Sequence, residues 1–125
     1  NFNEDSILMM INLFKERATS ILDIIDSMMS IYNESKEFNE DENLIIENIL
    51  KNKKIIINNF DNIIIWNSKE IEEKVNKTIV DLELNFKSFA QPIRLLVTGK
   101  MNGPSISKLI EILGKDKFIK MLKNL

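Results

Sequence analysis

An amphipathic segment at residues 69–84, KEIEEKVNKTIVDLEL, constrains the fold more than any other part of the sequence. It follows Asn67 and contains Glu70, a pair that matches a capping box, the pattern with which many helices begin. A helix with one apolar face must bury that face against other elements, so the segment predicts a packed helical domain. The apolar residues that share this face recur every three or four positions: Ile71, Val75, Ile79 and Leu82.

Helical spacing of apolar residues, with a cap before it or a stop after it, recurs along most of the chain. The predicted fold class is therefore all-α, a set of packed helices with no sheet. The further predicted helices are ILMMINLF after Ser6, ILDIIDSMMSIY after Thr19, residues 87–98 ended by Gly99, residues 106–113 capped by Ser105 and ended by Gly114, and KDKFIKMLKNL.

Residues 44–66 are rich in isoleucine, a β-branched residue that favours strands when propensity alone is considered. The isoleucine triplets of KKIIINNFDNIIIW, however, return after seven to eight residues, a spacing that indicates a helix. We therefore predict helices for LIIENIL and for KKIIINNFDNIIIW, and we place Trp66 in the core.

A polar, acidic stretch, NESKEFNEDEN at residues 33–43, lacks periodicity and is predicted to be a surface connector. It divides the chain into two predicted helical subdomains, residues 1–38 as the end of a first one and residues 39–125 as a second. With 125 residues, of which 44% are hydrophobic, the chain can bury a core without disulfides or metal. Because it begins with Asn1, we expect it to be a piece of a longer protein.

The residue types that are missing argue against catalysis by this chain. It has no cysteine and no histidine, which removes thiol nucleophiles, the usual zinc sites and the commonest general base. We predict no catalytic and no metal-ligating residues. No apolar run reaches the roughly 18 residues of a membrane span, and the start of the chain lacks the basic residues of a signal peptide. The expected location is the cytoplasm.

Charge is distributed unevenly along the chain. Residues 1–85 contain 9 Lys and Arg against 17 Asp and Glu, a net charge of −8, whereas residues 86–125 contain 8 against 2, a net charge of +6. A positive surface on a nearly neutral protein is typical of polyanion binding, although a solvated lysine face explains many such runs. Charge alone leaves these two interpretations open.

The stretch FAQPIRLLVTGKMNGPSISKLI, residues 89–110, contains the strongest candidate site. Proline within a helix removes a backbone donor and is tolerated where a bend is wanted. We expect Pro92 to bend its helix so that Arg94 points across the turn at residues 103–106. The chain has 15 Lys and 2 Arg, so an arginine here favours a role for its planar fork of donors.

The sequence from Phe89 to Leu122 resembles the C-terminal part of bacterial glutamyl-tRNA synthetases. That family has an AQPLR-type turn, a TG stop, a proline-containing loop and a final LLGK helix pair in the same order. Upstream, residues 13–24 resemble the family's R-x-x-T-L segment, with Arg17 in the matching place. The landmarks that carry the resemblance are Gln91, Pro92, Arg94, Thr98, Gly99, Pro104, Leu113, Gly114 and Lys115.

The resemblance implies an all-α anticodon-binding region that recognises tRNA(Glu), with tRNA(Gln) as an open second partner, and that acts as a monomer without DNA or membrane. The catalytic part, which would use ATP and Mg2+ to activate glutamate, is not in this chain, and the chain alone needs no cofactor. The residues implied to bind the anticodon are Arg17, Gln91, Pro92, Arg94, Thr98, Gly103, Pro104, Ser105 and Ile106, with phosphate contacts from Lys87, Lys100 and Lys108.

A helical adaptor that binds another protein through its acidic and basic halves is the alternative from a different functional class. It would be indifferent to anticodon sequence. On that interpretation Arg94 pins a neighbouring acidic helix, and Arg17 forms a salt bridge.

The anticodon-binding interpretation carries two further expectations. Arg94 should be an exposed charge whose removal leaves fold stability almost unchanged. Arg17 should face the same side of the molecule as Arg94.

Overall fold

Seven α-helices and no strand make up the part of the chain that the structure describes, which confirms the all-α prediction. The structure is a computed structural model that describes residues 4–15, 29 and 37–125. The predicted helix at residues 21–32, apart from Met29, lies outside the described residues. The helices are α1 (Glu4–Phe14), α2 (Glu40–Leu50), α3 (Lys53–Asp61), α4 (Ser68–Asp81), α5 (Phe86–Thr98), α6 (Ile106–Leu113) and α7 (Lys115–Lys123).

The helices pack around one contiguous buried cluster. Helix α2 lies against α5, α4 against α6, and α3 against α7, while α6 also contacts α1, α5 and α7. Met10 and Phe14 of α1 are buried in the same cluster as residues from all the other helices. The boundary predicted between residues 38 and 39 stays a prediction, since most of residues 16–36 before it lie outside the described part of the chain.

An aromatic group joins α3, α5 and α7 at the centre of this core. The ring of Phe60 lies 5.0 Å from that of Phe118 in an edge-to-face arrangement and 6.4 Å from that of Phe89 in a stacked one. Trp66 packs edge-on at 6.5 Å from Phe60. Its Nε1 donates to the carbonyl oxygen of Ile110 at 3.1 Å. The placement of Trp66 in the core is therefore confirmed, and its polar tip has the partner that a largely buried indole requires.

Three of the predicted helix ends are present, and two predicted caps are wrong. Gly114 follows α6 as predicted, whereas α1 begins at Glu4, so Ser6 lies inside that helix and does not cap it. The Asn67 side chain accepts a hydrogen bond from the Glu70 backbone N–H at 2.8 Å, and Gly99 ends α5 in the left-handed region with φ 79°, where glycine is favoured. Ser105 makes no side-chain cap bond to α6. Its hydroxyl lies 2.9 Å from that of Ser107 instead.

Helix α2 begins inside the predicted connector, so that prediction is wrong for residues 40–43. Asn39 Oδ1 accepts from the Glu42 N–H at 2.8 Å, and Glu42 Oε1 accepts from the Asn39 N–H at 3.1 Å. This full capping box starts a helix whose first turn is acidic. The negative side chains of that turn interact favourably with the positive end of the helix dipole. The polar composition therefore marks a helix start as well as a surface.

The second isoleucine triplet is not helical, contrary to the prediction. Helix α3 ends at Asp61, and Ile64 is 96% exposed in the loop that follows. The Nζ of Lys115 donates to the carbonyl oxygens of Asp61 and Ile63, each at 2.8 Å. A lysine from α7 thus satisfies carbonyls at the end of α3, where a helix lacks internal donors.

Helix α4 ends at Asp81, before the limit predicted at residue 84. Glu83 has φ 55°, in the left-handed region that disfavours residues other than glycine. The N–H of Glu83 donates to Val80 O at 3.1 Å, and the N–H of Leu84 donates to Ile79 O at 3.0 Å. This is a Schellman motif built without glycine. Among the described residues, no helix combines the length and apolar character needed to cross a membrane.

Candidate nucleic-acid interface

Helix α5 carries the residues that the sequence singled out. Its start is fixed by Asn85, whose side chain accepts from the Ser88 N–H at 2.8 Å. Pro92 is buried within the helix, and because proline has no N–H it cannot donate to the Ser88 carbonyl one turn back. Pro92 is thus a core residue. The bend predicted at Pro92 stays a prediction.

Four of the predicted site residues share one stripe of α5. Positions 87, 91, 94 and 98 are separated by four, three and four residues, which places them along one face of a helix. The stripe runs from an exposed side chain at the start of the helix to a buried one at its end: Lys87, Gln91, Arg94 and Thr98. The structure therefore brings together a cation, an amide, a guanidinium and a hydroxyl.

Arg94 reaches the loop that follows its helix. Its Nε donates to the carbonyl oxygen of Pro104 at 3.1 Å, which confirms that the side chain points across the turn toward residues 103–106. The side chain is half-buried rather than exposed. The expectation of an exposed charge is therefore wrong. The effect of removing Arg94 on stability stays a prediction, which this hydrogen bond revises because the Pro104 carbonyl would lose its donor.

Thr98 ties the end of α5 to the start of the same loop. Its buried hydroxyl donates to the carbonyl oxygen of Arg94 at 2.8 Å and lies 3.4 Å from that of Lys100. The same oxygen accepts from the Lys100 N–H at 3.3 Å. The threonine therefore orders the backbone on which the loop begins, and Lys100 itself is exposed.

The loop between α5 and α6 presents open backbone together with one exposed apolar side chain, that of Met101. A Cβ added at Gly103 would meet no atom within 4 Å, so this stretch of backbone lies beside open space. Ser105 is exposed, whereas Pro104 is buried and Ile106 is 2% exposed. Neither Pro104 nor Ile106 therefore offers an exposed side chain to a ligand in this geometry, and the carbonyl oxygen of Pro104 already accepts from Arg94.

Two residues that the sequence analysis did not assign to the site hold α6 in place. Glu111 Oε2 accepts from the Ser68 N–H at 3.0 Å, and the carbonyl oxygen of Ile110 accepts from Trp66. Both contacts join residues more than 40 positions apart, so no local sequence signal could reveal them. They anchor the end of α6, while its start lies beside the Arg94 loop with Lys108 exposed on its first turns. Arg17 lies outside the described residues.

The comparison with protein families identifies the class to which this helical surface belongs. The family model described as the anticodon binding domain matches residues 1–125. The chain therefore belongs to the anticodon binding domain family.

Curated relatives of known name agree with this assignment. The chain is 28% identical over 125 residues to a glutamate–tRNA ligase of Buchnera aphidicola subsp. Baizongia pistaciae, covering 97% of this chain and 26% of that protein. It is 35% identical over 123 residues to glutamate–tRNA ligase 1 of Campylobacter hominis, covering 94% of this chain and 26% of that protein. The chain thus spans about a quarter of the length of these relatives.

A solved structure has the same fold. A glutamate tRNA ligase from Elizabethkingia meningosepticum, in complex with its amino acid, superposes with a TM-score of 0.85 at 21% identity. The match covers 99% of this chain and 25% of that one.

Proposed function

We propose that this chain binds the anticodon loop of tRNA(Glu), within a glutamate–tRNA ligase whose catalytic part lies outside it. Family membership and two glutamate–tRNA ligase relatives support the proposal. The attachment of glutamate, with ATP and Mg2+, would belong to the remaining three quarters of such a protein, which would act in the cytoplasm as a monomer. Whether tRNA(Gln) is a second partner depends on how the site treats the first and last anticodon bases.

The observation that carries the assignment of the site is the bond from Arg94 Nε to the Pro104 carbonyl. It holds the planar guanidinium against the loop at Pro104, the residue that follows the open backbone of Gly103. RNA-binding proteins read unstacked loop bases by hydrogen bonds to their edges, and a fixed arginine offers a forked set of donors for that purpose. Gln91, one turn away on the same stripe, adds an amide with both donor and acceptor groups.

Phosphates are the proposed partners of the exposed cations around this stripe. Lys87 precedes Gln91 by one turn, Lys100 follows the helix end, and Lys108 lies on the first turns of α6. Lysine acts as a point charge, so these contacts would hold the loop without reading its sequence. The proposed anticodon site is completed by backbone groups of Ser105 and Ile106, by Pro104 through the bond that holds Arg94, and by the side chain of Arg17.

The experiment compares the affinities of wild type and Arg94→Ala for two RNA hairpins, one with a glutamate anticodon and one with the middle base changed. Arg94→Ala should bind the first hairpin more weakly by about 1 to 3 kcal/mol, the range for a good bidentate base contact, and should lose discrimination between the two.

Two further variants separate base reading from other roles of the side chain. Arg94→Lys keeps the charge and a donor for Pro104 but lacks the fork, so it should retain loop geometry and lose discrimination. Lys108→Ala should weaken both hairpins about equally. Equal losses on both hairpins for Arg94→Ala would show that Arg94 is not a base reader, and no binding of either hairpin by wild type would favour the adaptor alternative.

A further inference from the structure

Helices α3 and α7 lie antiparallel, with the start of one beside the end of the other. At one end of the pair, Lys53 Nζ donates to the carbonyl oxygen of Leu125 at 3.0 Å. At the opposite end, Lys115 Nζ donates to the carbonyl oxygen of Asp61 at 2.8 Å. These two contacts fix the direction of packing between α3 and α7, which contact one another along their lengths.

Charge is segregated along this pair. Its two acidic residues, Asp61 and Asp116, stand at the end where α3 finishes and α7 begins. Lys115 and Lys117 lie at that same end, on the first turn of α7. The start of α3 and the last turn of α7, which meet at the other end, contain no Asp or Glu. We call the lysines gathered there the lysine surface: Lys51, Lys53, Lys54, Lys120 and Lys123.

The fold makes little use of the charges on the lysine surface. Lys53 binds a carbonyl, but the other four side chains are exposed. Within the part of the chain that the structure describes, those four side chains have no ion-pair or hydrogen-bond partner, although Glu47 lies one turn before Lys51 and Asp116 one turn before Lys120. Two lysines in the first turn of α3 also oppose the helix dipole. Lys120 and Lys123 lie in the last turn of α7, where a cation favours the helix dipole. The lysines at the start of α3 are therefore the ones that neither helix stability nor ion pairing accounts for.

We propose that the lysine surface binds the sugar–phosphate backbone of a tRNA stem, as a second contact separate from the Arg94 site. The inference rests on the proposed function, since RNA is the polyanion that an anticodon-binding domain meets. The surface has lysines but no arginine. The lysine ammonium binds phosphate as a point charge and lacks the planar fork of donors with which arginine reads base edges. A surface of this kind adds affinity and leaves sequence preference to other residues.

The test uses the double variant Lys54→Gln/Lys123→Gln, which takes one charge from each helix of the lysine surface. The matched control is Lys69→Gln/Lys74→Gln, which removes the same net charge from α4. Each protein is titrated with a hairpin carrying a glutamate anticodon, with the same hairpin changed at the middle base, and with the isolated single-stranded loop, over a series of salt concentrations.

The lysine-surface variant should bind both hairpins about tenfold more weakly for each lost phosphate contact at about 0.1 M salt, and its log–log salt slope should fall by about 0.9 per contact. Its discrimination between the two hairpins, and its affinity for the isolated loop, should match those of wild type. The control should keep the wild-type slope.

The two proposals fail in different ways. An unchanged salt slope in the lysine-surface variant, or an equal loss in the control, would overturn the second contact while discrimination by the Arg94 site stood. Loss of affinity for the isolated loop as well would assign these lysines to the anticodon site and overturn the inference. No binding of any RNA by wild type would overturn both proposals, and discrimination lost only in Arg94→Ala would leave both standing.

Discussion

The Nε of Arg94 lies 3.1 Å from the carbonyl oxygen of Pro104, ten residues further along the chain. This bond gives Arg94 a structural role beside the proposed one in binding. Because the side chain is half-buried and Pro104 is buried, Arg94→Ala should lower the free energy of unfolding by about 1 kcal/mol, the usual value for a lost hydrogen bond. Urea denaturation measures this change.

Gln91→Ala is the matched control, since Gln91 is also half-buried and lies one turn away on the same face of α5. It should change stability by no more than about 0.5 kcal/mol. Equal losses in the two variants would show that the bond between Arg94 and Pro104 contributes nothing of its own.

The contact of Lys115 with the end of α3 predicts a second stability effect. Lys115→Met keeps most of the aliphatic chain and removes both hydrogen bonds to the carbonyls of Asp61 and Ile63. Charged donors give stronger hydrogen bonds than neutral ones. In these partly exposed surroundings, Lys115→Met should therefore lower the free energy of unfolding by about 1 to 2 kcal/mol. Lys120→Met, at an exposed position of the same helix, should stay within about 0.5 kcal/mol of wild type in the same assay.

Glu83 offers a way to stabilise the chain. Its φ of 55° lies where a side chain costs about 1 to 2 kcal/mol and glycine costs nothing. Part of that gain is lost because glycine is more flexible in the unfolded chain, so Glu83→Gly should raise the free energy of unfolding by about 0.5 to 1 kcal/mol. Glu83→Ala removes the same carboxylate but keeps a Cβ. If it stabilises as much as glycine does, the effect comes from charge and not from the backbone.

Asp81 makes stability depend on pH at the acidic end. Its hydrogen bond with Lys77, and then one with Asn59, hold the pKa of this carboxyl below its ordinary value of 3.8. A folded-state pKa below the unfolded one adds stability that is present above the unfolded pKa and is lost as the pH falls through the folded pKa. A double-mutant cycle of Lys77→Met and Asp81→Asn should therefore show a favourable coupling at pH 7 that shrinks as the pH falls below 3.8. A coupling that stays constant down to pH 2 would contradict this account.

The helices of this chain could be predicted where their signals are local. Asn67 caps α4 and Gly99 ends α5, as a short window of sequence indicates. The start of α2 was missed because the acidic composition of residues 40–43 hid the capping box between Asn39 and Glu42. The end of α4 was missed because a glutamate occupies the position that glycine usually marks.

Other features depend on residues far apart in sequence. The isoleucine triplet at residues 63–65 follows the first triplet at a helical spacing, yet α3 ends before it. Lys115, more than 50 residues away, caps that end of the helix. The orientation of Arg94 toward Pro104 was predictable from the turn between them, but its partial burial was not. The role of Glu111 at the start of α4 was also beyond local reasoning. Tertiary contacts decided each of these points.

The hydrogen bond between Trp66 and Ile110 gives this chain an optical reporter of its own. Trp66 is the single tryptophan of the sequence, so intrinsic indole fluorescence arises from one site. Its N–H is attached to α6, a helix about 12 Å long whose opposite end begins beside the Arg94 loop. A ligand that shifts α6 as it settles on that loop would alter the surroundings of the indole, and the emission of unlabelled protein would then follow binding without any added dye.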